Sequence, residues 1–335
     1  MTEPKVRALL ERYPLLIADC ERFKHLGWYP SGGEVYKFAL QPTFEAVDRF
    51  ADHVFGGIGF EMHDYMIGPA EFGIEGYGRH RPELSPETLA SHHRLFVDRG
   101  TLESRAILGL NRDRLADWLR LIADDGTFGG IRVPMAIGPR HGVSTLHALR
   151  TARRAIVVSE LMRARGRSVG TLVEIGGGHG RTLRDMIWTL DVETAFYVDL
   201  PLNMLLAARF LGHFFGDRLN LVWDEGDTVA EGKINIVAPW LIERIDLPVD
   251  LLVNFLSFQH MSVEALRFYG ERLIEPRVAA IYYENRDRPR EGFDSGAADY
   301  PFRSPFALAH SKEVTVSRGP DGQPLGIVVG ELLLR

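Results

Sequence analysis

The residues best suited to chemistry stand together just past the middle of the chain. Glu174-Ile175-Gly176-Gly177-Gly178-His179-Gly180 closes a compact β-branched run and opens a helical one. A strand, a glycine turn and a helix start make a nucleotide-binding loop, because glycine permits both positive φ and close approach of the backbone to a ligand. The carboxylate of Glu174 adds a partner for a cation. Asp199 ends the next strand-like run, 23 residues after Gly176. That spacing places a carboxylate to accept hydrogen bonds from ribose hydroxyls. Histidine supplies the candidates for proton transfer, since its unperturbed pKa lies near neutrality. His260, in the loop after a later strand, is the first candidate base, and His179, on the glycine loop, is the second.

The elements that must position these residues alternate regularly. Residues 169–175, 195–200, 219–223, 234–240, 250–258 and 278–285 read as strands, and 181–190, 202–215 and 263–274 as helices. Short apolar strands between helices imply a parallel sheet covered on both faces. Two late runs, 313–317 and 326–334, joined by Gly319-Pro320-Asp321-Gly322, read as a hairpin. In open parallel sheets, ligands lie beyond the carboxyl ends of the strands. Glu174, Asp199, Trp240, Asn254 and Glu284 all fall at or near such ends.

The first part of the chain reads differently. Helices are predicted over 1–13, stopped by Pro14, and over 43–55, 86–98, 112–124 and 144–165, with a short strand near 131–137 and a turn over 138–142. A glycine- and aromatic-rich stretch, 56–81, has the character of a binding loop or lid. Its aromatic residues, Tyr65 among them, suit core packing and acceptor contact equally. The expected organisation is a mainly helical capping or oligomerisation domain over 1–143 and a Rossmann-like domain over 144–335. The helical part is a candidate dimer surface.

Composition narrows the partners. The chain has 335 residues, 45% hydrophobic and 25% charged, with a formal net charge of -6. That balance argues against a nucleic-acid binder. One segment runs the other way: Arg140, Arg150, Arg153, Arg154, Arg163, Arg165 and Arg167 fall within 28 residues. They read either as a solvated helix face or as a contact for phosphate or an acidic substrate. Cys20 is the sole cysteine, no apolar run is long enough to span a bilayer, and the N-terminus has no apolar core, so a cytoplasmic protein is expected. His53, His63, His80, His92 and His93, even with Glu61 and Asp64, match no standard ligand spacing, and no metal is expected.

Two cofactors could use the glycine loop. A dinucleotide wants Gly or Ala three positions after Gly178, where this chain has Arg181, and no convincing Tyr-x-x-x-Lys pair accompanies it. S-adenosylmethionine (SAM) lacks phosphate and carries an amine, a sulfonium and a ribose. The glycine motif after the first strand, the acidic residue after the second and the late hairpin resemble class I SAM-dependent methyltransferases. More narrowly, VEIGGGHG, FYVDLPLN, VNFLSFQHMS and IYYENR are similar to the bacterial family of sugar O-methyltransferases, over roughly residues 140–335. In that family the loop after the fourth strand usually carries Glu where this chain has His260.

The resemblance implies a mostly parallel, seven-stranded α/β sheet with a C-terminal antiparallel hairpin, SAM as cofactor, and methyl transfer to a small acceptor. By resemblance and position, Glu174 with Gly176, Gly177 and Gly178 would hold the methionine end of SAM. Asp199, with Leu200 and Asn203, would hold the ribose. Pro239 and Trp240 would wall the adenine, and Asn254 and Ser257 would lie beneath the sulfonium. Tyr283, Glu284 and Tyr65 are candidate acceptor contacts. A hydroxyl of a sugar or glycosylated metabolite is the expected acceptor. The alternatives are an amino group on a similar molecule, and a nucleotide-binding scaffold without catalysis.

Overall fold

The computed structural model describes residues 3–22, 44, 47, 98, 101, 114–122, 132–137, 140–289, 295–318 and 324–335. Apart from Phe44, Val47 and Asp98, the predicted helices 43–55 and 86–98, the stretch 56–81 with Tyr65, and the turn after Arg318 lie outside the described residues.

The chain opens with helix α1 (Glu3–Arg22), which runs straight past Pro14 where a stop was expected. The reason lies in burial. Val6, Leu9, Tyr13, Leu16, Ile17 and Cys20 form one stripe at helical spacing, and all are buried. Pro inside a helix costs about 3 kcal/mol, less than burying several such side chains returns at about 1.5–3 kcal/mol each. Arg12 fixes the helix further through Asp224 and Asp227, the latter at 2.9 Å. A short helix α2 (Leu115–Leu121) buries Trp118 and Leu121. A hairpin of β1 (Arg132–Ile137) and β2 (Arg140–Thr145) follows, so residues 140–142 of the expected turn lie in a strand instead. Helix α3 (Leu146–Arg163) is capped by the Thr145 hydroxyl, which accepts the Ala148 N–H at 3.0 Å.

From there strands and helices alternate: β3 (Thr171–Ile175), α4 (Arg181–Leu190), β4 (Thr194–Val198), α5 (Pro201–Phe215), β5 (Leu219–Val222), β6 (Ile234–Val237), β7 (Leu251–Phe255), α6 (Val263–Tyr269), β8 (Ala280–Arg286), β9 (Ala307–Arg318) and β10 (Pro324–Leu334). They build one sheet of order β5-β6-β4-β3-β7-β8-β10-β9. The first six are parallel, and β10 enters antiparallel between β8 and β9. The fold is therefore α/β with a C-terminal antiparallel hairpin, as expected, with eight strands rather than seven because β5 adds an edge to the parallel side. Every residue of β4, β6 and β7 is buried, as strands covered on both faces must be. α1 lies against α5, and α3 lies against α4. Strand β9 starts six residues before the expected 313, because the exposed polar stretch Ser311–Glu313 has no apolar alternation yet pairs fully with β10. No helix among the described residues is long and apolar enough to cross a membrane.

Candidate active site

Strand order reverses beside β3: the chain passes from β3 to β4 on one side and returns to β7 on the other. At such a switch point the strand ends part and leave a crevice. The loop after β3 fills it. Gly176, Gly178 and Gly180 adopt φ of 72°, 63° and 86°, a region that side chains other than glycine rarely visit. A methyl group on Gly176 would overlap the Ser257 side chain, and one on Gly177 would overlap the Glu174 carboxylate. The loop therefore lies directly on Glu174 below and on Ser257 of the β7 side.

Asp199, one residue beyond β4, accepts four hydrogen bonds. Oδ1 takes the Leu200 N–H at 2.7 Å and the Asn203 amide at 2.9 Å. Oδ2 takes the Gly178 N–H at 2.9 Å and the Tyr197 hydroxyl at 3.0 Å. Burial pushes the Asp199 pKa up, against these donors. Tyr197 also reaches the Gly178 carbonyl. Its role was readable in principle, since strand alternation puts residues two apart on one face.

Glu174 is the opposite case. It is 1% exposed, and neither carboxylate oxygen has a hydrogen-bond partner of good geometry. Burial first, then the nearby charge of Asp199, pushes its pKa up to about 8; Arg154 and the Leu183 N–H pull the other way. A second acceptor shares the shortage: Asn203 donates to Asp199, while its buried Oδ1 receives no hydrogen bond among the described residues.

On the other side, Asn254 braces the crevice. Its amide donates to the Ile175 carbonyl at 2.7 Å, and its Oδ1 accepts from the Phe258 N–H at 3.0 Å and from Asn285 at 2.9 Å. Asn254 thus holds the end of β3 to the turn after β7. Leu256 in that turn has φ 59°, a strained value for leucine that sequence cannot reveal. Asn285, which was not foreseen, completes the brace. Gln259 accepts the Arg286 N–H through Oε1 at 3.0 Å, which turns its NH2 toward His260 Nε2 at 3.2 Å. An amide NH2 only donates, so in this contact the ring nitrogen accepts. His260 is half-buried.

Pro239 and Trp240 are buried in a 3-10 turn that starts just past β6, on the same sheet edge. Three expected residues have other work. The His179 ring is 1% exposed and packs 5.0 Å from His147 and 4.9 Å from Phe210, so it serves packing where proton transfer was expected. The Tyr283 hydroxyl is buried against Arg303 and Glu331. Glu284 gives both oxygens to Arg153 at 2.8 Å, one to Arg154 at 3.0 Å, and one to the Tyr282 hydroxyl at 3.2 Å. Burial would raise its pKa, but the two guanidinium groups outweigh burial and hold it below the usual value. Glu284 therefore offers no free carboxylate.

The arginine-rich segment is not a plain solvated face. Arg163 bonds Ser159, Arg165 bonds the Leu161 and Ala309 carbonyls, and Arg167 bonds the Arg335 carbonyl.

No family model matches the sequence, and no curated protein matches it. Solved structures similar to it include magnesium protoporphyrin IX methyltransferase (ChlM) from Synechocystis PCC 6803 with bound SAM, at 11% identity and TM-score 0.39, covering 68% of this chain and 97% of that one. TehB from Haemophilus influenzae is 11% identical with TM-score 0.38, covering 54% and 61%. TrmK from M. capricolum, in complex with S-adenosyl-homocysteine, is 10% identical with TM-score 0.34, covering 54% and 67%. Likeness at this level leaves the chemistry to be argued from the residues.

Proposed function

We propose that the chain is a SAM-dependent methyltransferase whose acceptor is a hydroxyl of a sugar or a glycosylated small metabolite. One observation carries the cofactor assignment: buried acceptors without donors, Glu174 Oε1 and Oε2 and Asn203 Oδ1, surround the glycine loop. They fit a ligand that brings donors, an ammonium group for Glu174 and ribose hydroxyls for Asn203 and Asp199. A pyrophosphate would instead bring negative charge against a carboxylate pair, which disfavours a dinucleotide. The preference for a sugar hydroxyl rests on the four motifs VEIGGGHG, FYVDLPLN, VNFLSFQHMS and IYYENR.

Glu174 would bind the ammonium group and the loop backbone the rest of the amino-acid end. Asp199, Leu200 and Asn203 would hold the ribose, and Pro239 and Trp240 would wall the adenine. Asn254 and Ser257 would set the distance between cofactor and acceptor. When bound, SAM supplies an electrophilic methyl group. The remaining task of the protein is alignment and removal of the acceptor's proton. His260 in its neutral form would take that proton, with the Gln259 amide beside its ring.

Calorimetry with S-adenosylhomocysteine and with NAD tests the cofactor: the former should bind and the latter should not. His260→Ala should lower kcat by about 10²–10⁴-fold while leaving S-adenosylhomocysteine affinity unchanged. An unchanged rate across a pH series would remove His260 as the base.

A further inference from the structure

We infer that Arg153 and Arg154 form an anion-binding subsite for the acceptor, which then carries a carboxylate or phosphate in addition to the group that is methylated. The inference rests on the methyltransferase reading for the word acceptor only; the anion site stands on its own observations. Arg150, Arg153 and Arg154 lie at i, i+3 and i+4 on α3 and so share one face of the helix. Among the carboxylates of the described residues, only Glu284 pairs with Arg153 and Arg154. Arg153 uses one terminal nitrogen for both Glu284 oxygens, and Arg154 uses only Nε. The two terminal NH2 groups of Arg154, and Nε and the second NH2 of Arg153, make no hydrogen bond among the described residues. A guanidinium has five donors in a planar fork suited to carboxylate or phosphate.

The location suits the acceptor. The Arg154 guanidinium stacks 4.7 Å from the ring of Phe255, the last residue of β7, immediately before the turn that carries Ser257. The same helix reaches the glycine loop through His147 and His179. α3 thus spans the crevice from the cofactor loop to the ends of β7 and β8. The two side chains are 16% and 12% exposed, reachable yet mostly shielded from water, where a charge-assisted bond is strongest. Burial lowers the Arg154 pKa, and Arg153 and Arg150 add to this against the pull of Glu284, as expected of a cation with too little counter-charge.

The test titrates inorganic phosphate and, separately, acetate into protein loaded with S-adenosylhomocysteine, for wild type, Arg153→Gln and Glu284→Gln. Wild type should bind at least one of the two anions, and the tighter one names the acceptor's group. Arg153→Gln should weaken that binding by about tenfold or more. Glu284→Gln frees two guanidinium groups and should strengthen it by about tenfold. A purely structural ion pair would show no such opposition of sign, so equal losses in both variants, or no anion binding in wild type, overturn the subsite. Thermal shifts with and without phosphate give the same comparison if Glu284→Gln is too unstable for calorimetry: phosphate should raise its Tm more than that of wild type. Failure of wild type to bind S-adenosylhomocysteine would overturn the cofactor assignment and leave the anion result to be judged separately.

Discussion

The two sides of the crevice have opposite imbalances. On the β3–β4 side two buried carboxylates stand close together without a cation in bonding contact among the described residues: Asp199 has four donors, and Glu174 has none of good geometry. On the β7–β8 side one buried carboxylate, Glu284, stands between two guanidinium groups. One sheet edge therefore lacks positive charge at one end and holds a surplus at the other. An unpaired buried carboxylate is expensive, and so is a surplus buried cation. A chain that keeps both within one crevice is shaped for a ligand set that is cationic where Glu174 lies and anionic where Arg153 and Arg154 lie.

The difference can be sharpened or broken by removing each charge. Glu284→Gln leaves two guanidinium groups buried with no carboxylate, and should destabilise the protein by about 3–5 kcal/mol near neutral pH. Denaturant unfolding would read this, and a loss below about 1 kcal/mol would mean that water already compensates the pair. Gly176→Ala acts between the two sides. Its methyl group overlaps Ser257 at a φ of 72°, so a strain of about 1–3 kcal/mol is expected, together with a drop of about hundredfold or more in S-adenosylhomocysteine affinity. Unaltered affinity would show that the loop is free to move away from Ser257.

Glu174→Gln should change stability in the opposite direction, by an amount that depends on pH. The Glu174 pKa is pushed up to about 8 from 4.5. Between those values the folded protein keeps a proton that the unfolded chain gives up. Stability therefore falls as pH rises through that window, by at most about 1.4 kcal/mol per pH unit. Glu174→Gln should flatten that slope and leave the variant more stable than wild type above pH 8, as a denaturant series across pH would reveal. An unchanged slope would mean that Glu174 is ionised and compensated in the absence of ligand.

Much of the β3–β4 side was legible in sequence, because its signals are local. Glu174, three glycines and Asp199 sit on one strand–loop–helix–strand unit, and the structure brings them together. The β7–β8 side was not legible. Glu284 was expected to contact the acceptor, yet its partners come from 130 residues earlier, and no local pattern predicts that pairing. Tyr283 is a second case, since its hydroxyl is engaged by Arg303 and Glu331, both distant in sequence. Among the helices, Pro14 misled because its cost is local while the compensating burial against α5 depends on the tertiary fold. The positive φ of Leu256 and the unanswered Oδ1 of Asn203 are features of geometry alone.

The most direct test is calorimetric binding of S-adenosylhomocysteine near pH 7 in two buffers of different ionisation enthalpy. With Glu174 protonated before binding and ionised against the ligand's ammonium group afterwards, wild type should release close to one proton, and Glu174→Gln should release none and bind about ten- to hundredfold more weakly. Binding without proton release in wild type, or equal affinity in the variant, would contradict the role assigned to Glu174 and with it the account of the site.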